Sequence, residues 1–164
     1  MMMSTPLSIP LLLRRAEQVL GHKVVAGRRA NRRVEERSYA ACVQRARQLA
    51  AGLDTLGVRP GARVATFCWN HAPHLEAYYG VPASGRVLHT LNIRLHHDEL
   101  TYIITHAGDA AILVDKVLWP VFEPLRARIP DMPVVVVSDD GDVPAGTHDY
   151  ERLVAAHAGA PDFD

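Results

Sequence analysis

Cysteine is scarce in this sequence of 164 residues: only Cys42 and Cys68 occur. Two isolated thiols, one in a helical pattern and one at a strand end, exclude a disulfide framework and point to no zinc site. Free thiols in a reducing cytoplasm are expected. Charge of one sign is also lacking, with 18 Lys and Arg balanced by 18 Asp and Glu. Without a basic excess there is no electrostatic footprint for nucleic acid or for a polybasic membrane anchor. Apolar runs stay well short of the ~20 residues that span a bilayer, so no transmembrane segment is expected. In the opening MMMSTPLSIPLLLRR the positive charges follow the apolar patch, and Pro10 interrupts it. That is the wrong order for a secretory signal.

What is present reads as an ordinary globular domain, 48% hydrophobic and 22% charged. From Pro10 to Leu20 apolar residues recur at three and four, predicting an amphipathic helix that docks by its leucines and stops at Gly21. Lys23 to Ala26 and Val34 to Arg37 flank the basic turn GRRANRR and predict a hairpin. Ser38 is placed to cap a helix whose stripe runs Tyr39, Val43, Ala46, Leu49, Ala50, Leu53 and Leu56 before Gly57. Val64 to Cys68, Val87 to Leu91, Ala111 to Val114 and Pro133 to Val137 predict strands.

Between them, Asn70 is the expected cap of a helix buried through Leu75, Tyr78, Tyr79 and Val81, which Pro82 ends or kinks. Asp98 and Glu99 open another helix, stopped by Gly108. Lys116 to Ile129 predicts a helix distorted at Pro120 and Pro124. Strands alternating with helices give an α/β fold, a mostly parallel sheet with helices on both faces. A polar loop follows Ser138, then a short helix from Tyr150 to His157 and an acidic tail. The expected organisation is a helix and hairpin over residues 1–37, an α/β core over 38–138, and a loop, helix and tail over 139–164.

Candidate chemistry is thin. Gly80 and Gly85 have phosphate-loop spacing, but Arg86 and Val87 follow where Lys and Ser or Thr are needed. Those glycines are better explained by close packing of helix on strand. No Gly-x-Gly-x-x-Gly stands between a strand and a helix, which argues against a dinucleotide enzyme. His71, His74 and Glu76 could offer two imidazoles to a metal, yet solvated histidines at a helix start are the expectation. His96, His97 and Asp98 read as a turn before a helix, and Asp139, Asp140 and Asp142 as a surface turn lacking EF-hand order. Ser38, Ser84 and Ser138 sit in no nucleophile elbow, and Cys68 has no evident base. No catalytic, cofactor-binding or metal-ligating residue is therefore assigned.

The order of segments carries a resemblance. SYAACVQRARQLAAGL from Ser38, GVRPGARVA from Gly57, Asn70 with HLEAYYGVPASG, VLHTLNIRL from Val87 and DELTYIITHAGDAAILVD from Asp98 to Asp115 follow one another with little slack. In that order they resemble the N-terminal part of AMP-forming acyl-CoA synthetases, the fatty-acid–CoA ligases of the adenylate-forming superfamily. The resemblance implies an incomplete part of the large N-terminal domain of such enzymes. It also implies ATP, Mg2+ and coenzyme A as cofactors of a complete enzyme, which turns a medium- or long-chain fatty acid into acyl-AMP and then acyl-CoA. The family's phosphate loop and catalytic Lys match no position here, so none of these cofactors is expected to bind this chain alone. Ala62, Arg86 and Ile93 depart from the family pattern. Arg86 needs an acidic partner or a path to solvent at a close-packed junction.

The expectation is thus a fatty-acid–CoA ligase fragment, cytoplasmic and inactive alone. The alternative is a non-catalytic interaction module or one half of a split ligase, associating with the missing remainder or with a homologous ligase. An unrelated small α/β binding domain would need a pocket built wholly from these residues.

Overall fold

The computed structural model describes residues 7–163. The opening MMMSTP and Asp164 lie outside the described residues. Helix α1 (Ile9–Leu20) buries Leu13 but leaves Leu12 exposed, so the leucine face docks chiefly through one side chain. Strands β1 (Val24–Arg28) and β2 (Val34–Ser38) pair antiparallel as a separate two-stranded sheet, with Arg28 opposite Val34. This is the expected hairpin, with β1 running further into the basic turn. The Ser38 hydroxyl accepts a hydrogen bond from the Ala41 N–H at 3.2 Å and caps α2 (Tyr39–Thr55). Loss of such a cap typically costs about 1 kcal/mol. Gly57, in the left-handed region, turns the chain out of α2 toward the main sheet.

That sheet is built from β3 (Arg63–Phe67), α3 (Ala72–Ala83), β4 (Val87–Thr90), α4 (His97–Ala107) and β5 (Asp109–Asp115). The chain continues through α5 (Trp119–Phe122), flanked by single 3-10 turns, then β6 (Val134–Val137), β7 (His148–Asp149) and α6 (Tyr150–Ala155). Five strands lie in the order β4-β3-β5-β6-β7, every neighbouring pair parallel.

Alternation along the buried strands sends their side chains into two cores. Val64, Leu113, Val135 and Val137 meet Leu49 and Leu53 of α2, Ala77 and Val81 of α3, and Tyr150 of α6. Ala65, Phe67, Ile112, Val114 and Val136 meet Leu100 and Ile104 of α4 and Phe122 of α5. Helices therefore cover both faces, the arrangement a parallel sheet requires.

Several expectations need correction. Asn70 does not cap α3; His71 does, its Nδ1 accepting from the His74 N–H at 3.2 Å. The buried side of α3 is not the tyrosine side: Tyr78 and Tyr79 are 47% and 42% exposed, while His74, Glu76, Ala77, Gly80 and Val81 face inward. At Gly80 steric room is decisive, because α3 lies close to the α2 backbone there. A Cβ on Gly80 would stand 2.6 Å from the Ala46 carbonyl oxygen. Gly80 accordingly permits helix-on-helix rather than helix-on-strand packing, whereas Gly85 serves the turn into β4 with a positive φ.

The stretch after β5 is cut at Pro120 and Pro124 into short helical pieces instead of one distorted helix. The two-residue β7 carries too little pattern to be read in advance. The acidic tail also packs: Ala158 O accepts from Gln44 Nε2 at 3.2 Å, and Asp162 lies 3.1 Å from Arg47 of α2.

Candidate functional site

In the strand order just given, β4 and β5 flank β3 on opposite sides. Connections leaving the carboxyl ends of β3 and β5 therefore diverge, and open α/β sheets bind ligands in the crevice so formed. Here it measures about 830 Å3. Trp69, Asn70 and His71 line it after β3, Lys116 and Val117 after β5, and Asp139 and Asp140 after β6. The basic turn between β1 and β2 overhangs it with Arg28, Arg29 and Arg32.

Asp139 holds that turn in place. Its Oδ1 accepts from Arg29 Nε at 2.8 Å and its Oδ2 from the Asn31 N–H at 2.9 Å. Arg29 Nη2 adds a bond to the Ser138 carbonyl at 3.1 Å, while Nη1 is buried without a partner among the described residues. On the floor, Asp115 accepts from the Trp69 N–H at 2.7 Å and from His71 Nε2 at 2.6 Å. Because His71 Nδ1 accepts from the His74 N–H, the imidazole proton sits on Nε2. Behind it His74 Nδ1 donates to Trp69 O at 3.1 Å, and its Nε2 accepts from the Thr66 hydroxyl at 3.0 Å. Burial holds the His74 pKa below the usual imidazole value, with the neighbouring His71 acting in the same sense.

His71 and His74 are therefore buried and fully bonded, which overturns the expectation that they are solvated. Polar groups taken from water must find partners, and these do. With both His71 nitrogens and both Asp115 oxygens committed, the pair has no free position from which to move a substrate proton. Cys68 is equally inert, since burial drives its thiol pKa well up.

Glu76, the third member of that sequence cluster, points elsewhere. It accepts from Arg45 Nε at 2.9 Å, from the Tyr150 hydroxyl at 2.6 Å, and from Arg37. Among the described residues no group of three or more His, Cys, Asp or Glu could hold a metal ion. The turn from Gly80 to Arg86 does not fit a triphosphate either. Arg86 is 4% exposed and spends its guanidinium on Val58 O, on Ser84 Oγ at 2.7 Å and on Asp54. Asp54 is the acidic partner this cation required.

His96 caps α4 in a capping box with Glu99, and Asp140 and Asp142 both bind Lys116 at 2.9 Å in a surface turn. The Ser138 hydroxyl and Lys116 hold the Asp140 carboxyl far below its ordinary pKa. Sequence reasoning did not single out Asp115 or the crevice. The available signal was a carboxylate ending an otherwise aliphatic strand, AAILVD.

The doubly wound parallel sheet and the separate basic hairpin define an α/β scaffold with a crevice at its switch point. A solved anthranilate CoA ligase in complex with anthranoyl-AMP superposes with a TM-score of 0.76 at 20% identity, over 93% of this chain and 28% of that one. The model of the AMP-binding enzyme family matches residues 13–162, and the chain belongs to that family. A long-chain-fatty-acid–CoA ligase of Thermus thermophilus is 41% identical over 157 residues, covering 96% of this chain and 29% of the relative. A 3-methylmercaptopropionyl-CoA ligase of Ruegeria pomeroyi is 35% identical over 159 residues, covering 94% of the chain and 30% of the relative. The chain thus spans under a third of either relative. Among the described residues no helix is long and apolar enough to cross a membrane.

Proposed function

We propose that this chain supplies scaffold for a cytoplasmic fatty-acid–CoA ligase that uses ATP and Mg2+ to form acyl-AMP and then passes the acyl group to coenzyme A. The observation carrying the proposal is the 41% identity to the Thermus thermophilus ligase across 96% of the chain. Medium- or long-chain acids are the proposed substrates, and the Thermus thermophilus relative is a long-chain ligase. Activation replaces a poor leaving group by a good one, which demands groups that grip triphosphate and position a carboxylate. His71 with Asp115, Glu76 with Arg45 and Tyr150, and Arg86 with Asp54 are instead bonded to one another, so the chain alone should have no adenylation activity.

Two measurements test this. The chain mixed with ATP, Mg2+, palmitate and coenzyme A should form no palmitoyl-CoA, and turnover would refute the scaffold role. A chimera carrying the chain in place of the matching segment of the Thermus thermophilus relative should retain palmitate activity. A soluble, folded but dead chimera would contradict the ligase assignment.

The alternative, an interaction module or half of a split ligase, draws on the exposed face of β4. Among the described residues that strand pairs with β3 alone, and Val87 on it is 48% exposed. Such an edge can accept a partner strand. Activity restored by co-expressing the matching downstream segment of a ligase as a separate chain would favour the split enzyme.

A further inference from the structure

We propose that the outer face of the β1–β2 hairpin is a contact between two copies of this chain, which meet across a two-fold axis. This goes beyond the ligase reading and does not rest on it. Strand alternation builds the face. In the hairpin register Val24 stands opposite Ser38, Ala26 opposite Glu36 and Arg28 opposite Val34. Val24, Ala26, Arg28, Val34 and Glu36 are exposed, while Val25, Gly27, Glu35 and Arg37 between them are partly buried on the other side. That inner side is anchored: Arg37 bonds Glu76 of α3, and a Cβ on Gly27 would stand 3.3 Å from the Ala72 backbone nitrogen. The outer face is thereby held in place, which lowers the entropy cost of docking on it.

Its chemistry is complementary to itself. Val34 is 61% exposed, and beside it lie one cation and one anion, Arg28 and Glu36. Neither forms an ion pair among the described residues. A two-fold operation brings residue i onto j and j onto i, so one charge of each sign gives two matched pairs. Strand geometry fixes the rest. With about 3.4 Å between residues along a strand and about 4.8 Å between strands, the axis that lays Arg28 of one copy over Glu36 of the other runs between those residues. It passes close to Val34 and Ala26, which therefore face their own counterparts, so two ion pairs flank an apolar centre. The hairpins then cross nearly at right angles, one of the two arrangements that packed sheets adopt. Val24, at the far end of β1, lies off the axis and meets no counterpart of its own.

Sedimentation velocity of the purified chain, in about 50 mM salt, tests the proposal. The patch is small, so a reversible dimer with a dissociation constant of about 10–100 µM is expected. Arg28→Glu or Glu36→Arg alone sets like charges against each other at both pairs and should weaken it about tenfold or more. Mixed in equal amounts, the two variants should associate with each other about as tightly as the parent does, because every pair then joins opposite signs again. Val34→Cys should form an intermolecular disulfide with oxidised glutathione and Val24→Cys should not, the native Cys42 and Cys68 being buried.

A parent chain that stays monomeric at several hundred micromolar would overturn the assignment. So would association unchanged in both charge variants, the result expected if copies met through the β4 edge or α1 instead. A mixture no tighter than either variant alone would overturn it as well. Should a charge variant lose its far-UV circular dichroism signal, the cysteine pair decides. Cross-linking at position 34 but not at 24 supports the contact, and any other pattern overturns it.

Discussion

Glu76 shows how one buried carboxylate joins distant pieces of chain. It lies on α3 with no exposed side-chain surface and accepts from Arg45 of α2, Tyr150 of α6 and Arg37 of β2. Removing it leaves the Tyr150 hydroxyl without its acceptor and strips one carboxylate partner each from Arg37 and Arg45, which keep Glu35 and Glu151, and this is costlier than never having buried the group. Glu76→Ala should lower unfolding free energy by about 3–5 kcal/mol in urea titrations, and Glu76→Gln by less because an acceptor oxygen remains. A loss below about 0.5 kcal/mol for the alanine variant would show that the network contributes nothing, a result typical of exposed pairs. His74 makes a second residue-scale test. Its pKa is depressed chiefly by burial, so below the unfolded value of 6.5 the unfolded chain binds the proton more readily than the folded chain. Stability from this residue is therefore complete above about pH 6.5 and declines as pH falls through that value toward the lower folded pKa. The stability difference between the parent and His74→Gln should shrink as pH drops from about 7 to 5, read from urea midpoints. A difference constant with pH would contradict the depressed pKa.

Packing of α3 on α2 carries the next test. Because a Cβ at Gly80 would lie 2.6 Å from the backbone oxygen of Ala46, no side-chain rotation can relieve the clash and one helix must move. Gly80→Ala should cost about 1–3 kcal/mol, despite alanine's better helix propensity, and thermal melts would register it. A stabilised variant would mean the helices are free to separate. The same helix marks the limit of what the sequence disclosed. Every strand but β7, most helix ends, the Ser38 cap and the hairpin were legible because their signals are local: periodicity, caps and turn residues. The rotation of α3 was not, since apolar Tyr78 and Tyr79 look like core until the closeness of α2 is known. Nor was the burial of His71, whose partner Asp115 stands 44 residues away in sequence. Arg86 was half legible: its need for an acid follows from its neighbours, but the identity of Asp54 follows only from the fold. For the crevice, the basic turn and the strand ends were each visible alone. Only the crossover order brings them together.

At the scale of the molecule, the surface is unfinished by the standards of an isolated α/β domain. Among the described residues strand β4 leaves one edge of the main sheet unpaired and β7, with two residues, closes the other. Leu12, Val19 and Leu20 on α1, Val24 and Val34 on the hairpin, and Val87 on β4 all stay exposed. Edge strands and contiguous apolar surface favour association unless they are covered. The central strands are meanwhile well buried, so the chain should keep its secondary structure while its periphery opens at lower cost than its core. The 164-residue chain studied alone should therefore bind an apolar dye such as ANS, elute from size-exclusion columns with concentration-dependent size, and melt over a broad range. In the ligase chimera the dye signal should fall, because the relative's other segments would cover the same edge and faces. A sharp, dye-silent, monomeric transition of the isolated chain would show that these surfaces need no cover, and would remove the physical motive for reading it as scaffold within a larger enzyme.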